Sequence, residues 1–263
     1  MRPTPDPAHR EAARPGLHPL GDREAPHWLY VPDDYRRGRR TGFVLVLHGS
    51  GGSARKALGR VEETVIREGA IALAVKSRGH SWDLVSGGFG EDVAEIDRRL
   101  GDVFDAYAID PRRVGVQGFS DGASYALSLG ITNGDLFRHI VASSPGFLEP
   151  GEPRGSPRVF LTHGRNDPVL PFEQTREEFV PRLRELGART TFRAFDGGHG
   201  MPDALVPEMF GWLGSCLYLR APLRAGRLDR RRERLDRPIA PFSRARVPSR
   251  RSSRPETRCP GCP

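Results

Sequence analysis

Cysteine is scarce in this chain, which has only Cys216, Cys259 and Cys262 among its 263 residues. Three cysteines are too few for a fold stapled by disulfides, and their scarcity favours a reducing, cytoplasmic setting. The pair in "CPGC" has the spacing of half a metal or redox site, but no second pair accompanies it in the sequence. We therefore expect no metal site.

Long apolar runs are also lacking. No stretch of the sequence approaches the roughly 18 consecutive apolar residues that indicate a membrane-spanning helix. The N-terminal sequence "MRPTPDPAHREAARPGLHPL" is rich in proline and charge and lacks the apolar segment of a secretory signal. We expect residues 1–24 to be a disordered lead rather than a targeting segment.

The positive charge is unevenly distributed along the chain. The formal net charge is +8, but residues 217–263 contain 14 Arg and 4 acids, which leaves 27 basic and 29 acidic residues before them. We expect an ordered domain at 25–217 and a disordered Arg-rich tail at 218–263. Phe242 is the one aromatic residue among the tail's arginines, so we expect weak, nonspecific anion binding there and no specific nucleic-acid site.

The central region alternates strand-like and helix-like segments. Buried strands are indicated by short apolar runs, and helices by apolar residues at helical spacing. The predicted strands are 27–32, 42–49, 70–77, 113–119, 139–145, 158–164 and 190–197, and the predicted helices are 54–68, 91–109, 121–130, 172–186 and 202–215. This alternation predicts an α/β fold with a mostly parallel central sheet, helices on both faces and a ligand site at the carboxyl ends of the strands.

The sequence "GFSDG" at 118–122 is a GxSxG motif between a predicted strand and a predicted helix. That position is where a nucleophile elbow holds its serine in a strained turn that needs glycine on both sides. The motif predicts Ser120 as the nucleophile and the Asp121 amide as an oxyanion donor at the helix N-terminus. The alternative is an ordinary tight turn that contains a serine.

A serine nucleophile requires a base and an acid, which follow it in the chain in the hydrolase order. His199 lies in the glycine-rich loop after the last predicted strand and is the predicted base. Asp167 follows the preceding strand and is the predicted acid, with Asp196 as the next candidate. An ordinary turn at 166–168 is the alternative for Asp167, and we interpret His163 as structural.

The loop in "LVLHGSGGSA" follows the second predicted strand, where a second oxyanion donor is expected. We predict the Ser50 amide as that donor and interpret His48 as a support for the loop. The glycine-rich sequence lacks the spacing of a phosphate-binding loop. The segment 77–92 is the predicted substrate wall, with Trp82 and Phe89 as its candidate residues and His80 as a further one. The alternative is that Trp82 packs on the adjacent helix.

Four motifs in register, "LHGSGG", "GFSDGASYAL", "THGRNDPVLP" and "GGHGMP", resemble the α/β-hydrolase superfamily and most closely its phospholipase/carboxylesterase branch. The resemblance extends from Trp28 to Leu217. It implies an esterase that needs no cofactor and cleaves small-molecule carboxylic esters or thioesters. By position it assigns the nucleophile, acid and base to Ser120, Asp167 and His199, and the oxyanion hole to the amides of Ser50 and Asp121.

The chain departs from the family pattern at two positions. Ser50 stands where the family often has leucine, and Asp121 where it often has glutamine. A carboxylate beside the nucleophile is expected to disfavour anionic substrates. Two alternatives to an esterase remain open: a related activity on the same fold, such as a dienelactone hydrolase or a peptidase, and a noncatalytic binding protein.

Overall fold

The computed structural model describes residues 14–21, 24 and 26–213. This part of the chain forms eight strands, β1 Gly16–Leu20, β2 His27–Val31, β3 Thr41–Leu47, β4 Ile71–Val75, β5 Ile109–Phe119, β6 His139–Ser143, β7 Arg158–Gly164 and β8 Arg189–Phe195. They make one sheet in the order β1-β2-β4-β3-β5-β6-β7-β8. The pairs β1–β2 and β2–β4 are antiparallel and the remaining pairs are parallel. The predicted mostly parallel sheet is confirmed.

Helices cover both faces of this sheet. They are α1 Ala54–Gly59, α2 Glu62–Arg67, α3 Glu91–Ala106, α4 Asp121–Thr132, α5 Phe172–Gln174, α6 Val180–Glu185 and α7 Val206–Phe210. Single 3-10 turns occur at Asp83–Ser86, Asp203–Leu205 and Gly211–Leu213, and a π-helical segment, Thr175–Phe179, connects α5 to α6. One core cluster joins α3, α4 and α6 to the sheet, and the other joins α1, α2 and α7 to its opposite face.

Strand β3 shows why two cores form. All seven of its residues are buried. Because successive side chains of a strand point to opposite faces, Phe43, Leu45 and Leu47 enter the first core whereas Val44 and Val46 enter the second. The continuous apolar run is therefore the pattern of a strand covered on both sides.

The position of β1 corrects the predicted disordered lead at residues 1–24. Residues 16–20 pair in antiparallel register with β2, and Leu17 and Leu20 pack against the two cores. Backbone hydrogen bonds to an edge strand do not require an apolar run, so composition gave no sign of them. Pro19 is compatible with this position because β1 lies at the edge of the sheet. The rest of the predicted lead before residue 14, and the predicted tail at 218–263, lie outside the described residues.

Several predicted helices differ from the structure in their bounds or continuity, two of them before β5. The helix predicted at 54–68 is divided into α1 and α2, and the break lies between Gly59 and the β-branched Val61, two poor helix formers. The helix predicted at 91–109 ends at Ala106, because the chain enters β5 at Ile109, ahead of a register shift opposite Thr41–Phe43. In the described part of the chain, no helix has the length and apolar character needed to cross a membrane.

Candidate active site

Ser120 occupies a strained turn between β5 and α4. Its backbone angles are φ 56° and ψ −123°, a left-handed conformation that side-chain-bearing residues rarely adopt. A Cβ atom at Gly118 would overlap the carbonyl oxygen of Gly122, and one at Gly122 would overlap the carbonyl oxygen of His48. Glycine is therefore required on both sides of Ser120, and the turn presents the serine side chain at the carboxyl end of the sheet.

The side chains of Ser120, His199 and Asp167 form a hydrogen-bonded row. His199 Nε2 lies 2.9 Å from Ser120 Oγ, and His199 Nδ1 lies 2.8 Å from Asp167 Oδ2. A carboxylate only accepts, so the neutral ring donates its Nδ1 hydrogen to Asp167, and Nε2 then accepts from the serine hydroxyl. The structure thus brings together the three residues predicted as nucleophile, base and acid.

The turn that follows Asp167 holds one oxygen of its carboxylate. Its side chain is 0% exposed, and Oδ1 accepts hydrogen bonds from the amides of Val169 and Leu170 at 2.8 and 3.0 Å. Burial raises the pKa of this carboxyl, but the Leu170 amide and the His199 ring outweigh burial and hold the pKa below its ordinary value. Asp167 is therefore ionised at neutral pH. Asp196, the second candidate acid, is 92% exposed and pairs with Arg165 instead.

The loop that carries His199 is attached to the ends of β6 and β7. The amide of Asn166 donates to the Gly197 carbonyl at 3.0 Å, and the hydroxyl of Ser144 donates to the Gly200 carbonyl at 3.2 Å. Ser144 is itself strained, with φ 51°. The His199 ring packs on Phe119, with ring centroids 4.9 Å apart. These contacts on both sides hold the imidazole between the serine and the carboxylate.

The glycine-rich loop after β3 lies against the serine. A Cβ atom at Gly49 would stand 3.2 Å from the Cβ of Ser120, a tight contact, so the loop backbone lies close to the serine. The amides of Gly51 and Gly52 donate to the carbonyls of His80 and Gly49. In residues 14–21, 24 and 26–213, no backbone carbonyl accepts the Ser50 amide.

The Asp121 amide is the first amide of α4, where helical N–H groups have no partner within the helix. An amide at a helix N-terminus stabilises negative charge. The roles of the Ser50 and Asp121 amides as oxyanion donors stay predictions. The Asp121 carboxylate accepts a hydrogen bond from the Ser81 hydroxyl at 2.5 Å, so its charge is partly compensated.

His48 supports the glycine-rich loop. Its Nε2 accepts from the Ser77 amide at 3.0 Å, so its Nδ1 carries the hydrogen that is donated to the Gly49 carbonyl at 2.7 Å. Burial lowers the pKa of His48 to about 4, which keeps the ring neutral. The contacts agree with the interpretation of His48 as a loop support.

Trp82 does not line the site, and its predicted place in a substrate wall is wrong. The side chain is 0% exposed, its Nε1 donates to the His48 carbonyl at 2.7 Å, and its ring packs between those of His48 and Tyr125. The alternative, packing on a helix, is correct because the ring lies against Tyr125 of α4. The buried indole also has its hydrogen-bond partner in this cluster. Phe89 is half-buried with its ring 4.9 Å from Tyr125, and its role in a substrate wall stays a prediction. The exposed His80 ring lies against Gly51.

Comparisons with known proteins agree with this geometry. The family model described as Phospholipase/Carboxylesterase matches residues 88–214. The probable feruloyl esterase C of Aspergillus oryzae is 32% identical over 166 residues, and the match covers 60% of this chain and 60% of that relative's length. The Bacillus subtilis protein MhqD, named only as a hydrolase, is 30% identical over 193 residues that cover 68% of this chain and 95% of MhqD. The chain belongs to the phospholipase/carboxylesterase family.

Solved structures show the same fold as this member of the phospholipase/carboxylesterase family. The Bacillus cereus carboxylesterase matches with a TM-score of 0.55 at 23% identity, covering 71% of this chain and 92% of that one. Esterase PE8 matches with a TM-score of 0.57 at 20% identity, covering 75% and 98%. These matches confirm the predicted fold, and the family match and the relative MhqD confirm the family resemblance.

Two side chains beside the row were not predicted as part of it. His163 contacts Asp167 directly, and Ser144 holds the loop of His199. The position of His163, four residues before Asp167 in "THGRND", was the available signal for the first, whereas no local pattern distinguishes Ser144. The cysteines of the chain lie outside the described residues, within which no group of three or more metal-ligating side chains is arranged to hold an ion.

Proposed function

We propose that this chain is a serine carboxylesterase that hydrolyses small-molecule esters through an acyl-Ser120 intermediate. The observation that supports it most is the Ser120–His199–Asp167 row, which lies at the carboxyl ends of parallel strands with the glycine-rich loop against the serine. The row contains the nucleophile, base and acid of a serine hydrolase in their required order of contact. Membership of the phospholipase/carboxylesterase family supports the same reaction class.

The geometry suits a two-stage reaction. The Ser120 oxygen attacks the ester carbonyl carbon while His199 Nε2, 2.9 Å away, accepts the hydroxyl proton. The carbonyl oxygen becomes an oxyanion that the Ser50 and Asp121 amides would stabilise. Collapse of this intermediate breaks the ester bond, and His199 gives its proton to the departing alcohol. Water then attacks the acyl-serine with His199 again as base, which releases the acid and restores the serine.

The ionised Asp167 has two roles in this scheme. Its hydrogen bond to Nδ1 selects the imidazole tautomer whose Nε2 is free to accept a proton. Its negative charge stabilises the imidazolium that forms when His199 takes the serine proton. Both roles require the carboxylate to stay unprotonated, which its lowered pKa ensures at neutral pH.

The site residues define the reaction but not one particular ester. Short or medium acyl esters and thioesters are the expected substrates, and the relatives named feruloyl esterases make feruloyl esters the first aromatic acyl group to test. The Asp121 carboxylate lies next to the nucleophile, so we expect neutral esters to be hydrolysed faster than esters with a carboxylate near the scissile bond. The scarcity of cysteine supports a cytoplasmic location as part of the same proposal.

A substrate panel tests the proposal. Steady-state hydrolysis is measured for acetyl, butyryl, octanoyl and feruloyl esters, a thioester, a dienelactone and a peptide amide, with Ser120→Ala and the control Ser156→Ala. Ser156 is exposed in the connection between β6 and β7. We expect ester hydrolysis by the parent and Ser156→Ala and none above background by Ser120→Ala. Preferential hydrolysis of the dienelactone or the amide would favour the alternative activities, and complete inactivity of the parent would favour a noncatalytic protein.

A further inference from the structure

His163 is a second histidine in contact with Asp167. It lies at the end of β7 with its side chain 0% exposed. Its Nε2 is 3.1 Å from Asp167 Oδ2 and 3.1 Å from the Leu170 carbonyl, and its Nδ1 is 2.8 Å from Thr175 Oγ1. A histidine this deeply buried next to the acid of the proposed site has no part in the proton transfers described above, so its contacts need a separate explanation.

The partners of the ring fix its hydrogen positions. The Leu170 carbonyl accepts from Nε2, and Asp167 Oδ2 lies 3.1 Å from the same nitrogen, so Nε2 carries the hydrogen. Nδ1 of a neutral ring then accepts from the Thr175 hydroxyl. Burial lowers the pKa of His163, against the opposing effects of the Leu170 carbonyl and Asp167, so the ring is neutral and does not cancel the charge of the carboxylate.

The environment of Asp167 is completed by this ring. The amides of Val169 and Leu170 bind Oδ1, and Oδ2 accepts from His199 Nδ1 at 2.8 Å and lies 3.1 Å from His163 Nε2. The turn amides bind Oδ1 and the two rings contact Oδ2, so both sides of the carboxylate limit its rotation about Cβ–Cγ. In the described part of the chain, the charged or titratable groups that act on His163 are Asp167 and His199.

We propose that His163 is a positioning residue that holds the Asp167 carboxylate in the orientation in which it fixes the tautomer of His199. This inference rests on the proposed function, since it gives His163 its effect on catalysis through Asp167 and His199. Thr175 in turn fixes His163, which extends the row to Thr175–His163–Asp167–His199–Ser120. Loss of the Nε2 donor should let the carboxylate turn, and the His199 ring would then populate its wrong tautomer.

The helix that carries Thr175 has a local irregularity at this point. Thr175 begins the π-helical segment between α5 and α6. Pro181 follows in the first turn of α6 and supplies no amide hydrogen, so the regular α-helical bond to the Glu177 carbonyl is missing. The π-helical turn is wider than an α-helical turn, and it changes the direction in which the side chains of this segment point. The Thr175 hydroxyl is fully buried and directed at His163.

Two amide substitutions of His163 test the proposal as a matched pair. In His163→Gln the side-chain NH2 reaches the position of Nε2 and can still donate to Asp167. In His163→Asn the amide is one carbon shorter and stops near the position of Nδ1. Both remove the ring and both introduce the same polar group, so a purely structural role predicts similar losses for the two. We expect kcat to fall about 10- to 100-fold in His163→Asn with KM within about threefold, and His163→Gln to stay within about threefold of the parent.

A second measurement does not depend on ester hydrolysis. Ring 15N shifts of the labelled full-length protein report the tautomer of each histidine, and we expect Nε2–H for His163 and Nδ1–H for His199 in the parent. His163→Asn should give a mixture of His199 tautomers, and His163→Gln should keep Nδ1–H. The proposal is overturned by an Nδ1–H tautomer of His163 in the parent, by an unmixed His199 tautomer in His163→Asn, or by equal kinetic losses in the two variants. If the parent hydrolysed no ester, the proposed function would fail, while the tautomers would still decide this inference.

Discussion

Asp167 combines complete burial with a full negative charge, and such a group is costly unless every oxygen finds a donor. Two turn amides and the His199 ring supply those donors, and His163 Nε2 lies 3.1 Å from Oδ2. The charge therefore persists beside His199 without water around it, where its effect on the ring is stronger than at a solvated surface. At the scale of single residues, the Asp167 carboxylate orients His199, and the oriented His199 makes Ser120 a candidate nucleophile.

Replacing Asp167 with Asn should retain the fold and remove most of the activity. The asparagine amide presents a donor where Oδ2 accepts, so it favours the His199 tautomer that cannot take the serine proton. We expect kcat to fall by about 10⁴-fold. Asp196→Asn is the matched control, because Asp196 is 92% exposed and pairs with Arg165, and its kcat should be unchanged. Esterase kinetics on both variants decide between the two carboxylates, and a larger loss in Asp196→Asn would contradict the assignment.

The contacts of single residues were predictable only in part. The meeting of Ser120, His199 and Asp167 was predictable because each follows a strand, and the carboxyl ends of parallel strands meet at one edge of the sheet. The mistake at Trp82 has a physical reason, since an aromatic residue in a glycine-rich segment gives the same local pattern whether it lies over a site or under it. The decisive contact, from its indole to the His48 carbonyl, joins residues 34 positions apart.

At the scale of elements, the elbow depends on two glycines that allow β5 and α4 to approach each other. Gly118→Ala would place a methyl group inside the Gly122 carbonyl, and neither backbone can yield without displacing Ser120. We expect this variant to lose activity and several kcal/mol of unfolding free energy, or to fail to fold. Chemical denaturation and ester hydrolysis measure the two effects.

The matched substitution is Gly101→Ala in the middle of α3. Gly101 is exposed, and a Cβ atom there would meet nothing within 4 Å. Alanine has the higher helix propensity, so the free energy of unfolding should rise by about 0.5–1 kcal/mol with no change in kcat. A loss of stability in Gly101→Ala comparable to that in Gly118→Ala would show that the close approach of the elbow is not the cause.

Helices and strands were predictable from the sequence where the hydrophobic pattern determines them. Strand β7 was predicted at its observed residues because its apolar run is short and is bounded by Pro157 and Gly164, which favours a buried strand over a helix. Strand β1 was missed because its main stabilisation is the backbone ladder to β2 rather than side-chain burial. The π-helical turn at 175–179 was not predicted, because Pro181 inside the helix expected at 172–186 signals an irregularity there without specifying its form.

At the scale of the whole molecule, the buried His48 and the half-buried His139 couple stability to pH. Burial lowers the pKa of His48 and of His139 to about 4 each, against 6.5 for the ordinary side chain. The unfolded chain therefore binds protons near pH 6.5 that the folded chain does not bind until about pH 4. Stability should fall as the pH drops through this window and should not depend on these groups above it.

The variant His139→Phe measures one half of this effect. His139 stacks on Trp212 with ring centroids 4.3 Å apart, and phenylalanine keeps the ring while removing the titration. Urea unfolding at several pH values between 7.5 and 4.5 should show a smaller slope in the variant, by up to about 1.4 kcal/mol per pH unit. A slope equal to that of the parent would show that His139 does not bind a proton on unfolding in this range.

The domain boundaries also belong to this scale and stay predictions. The sheet and every residue of the proposed site precede residue 214, whereas residues 217–263 carry a net charge of +10. Truncation after Leu219 should leave kcat and the melting temperature near the parent values and abolish any salt-sensitive binding to heparin. Activity, calorimetry and heparin elution test this together. An inactive or less stable truncated protein would contradict the proposed boundary.

Covalent labelling of Ser120 tests the central proposal most directly. A fluorophosphonate reacts with a serine only where a neighbouring base removes its proton and donors stabilise the resulting oxyanion. Intact mass spectrometry of the full-length parent should show one phosphonyl adduct per chain, peptide mapping should locate it at Ser120, and Ser120→Ala should show none. An unlabelled parent, or an adduct that persists in Ser120→Ala, would contradict the account of this chain as a serine esterase.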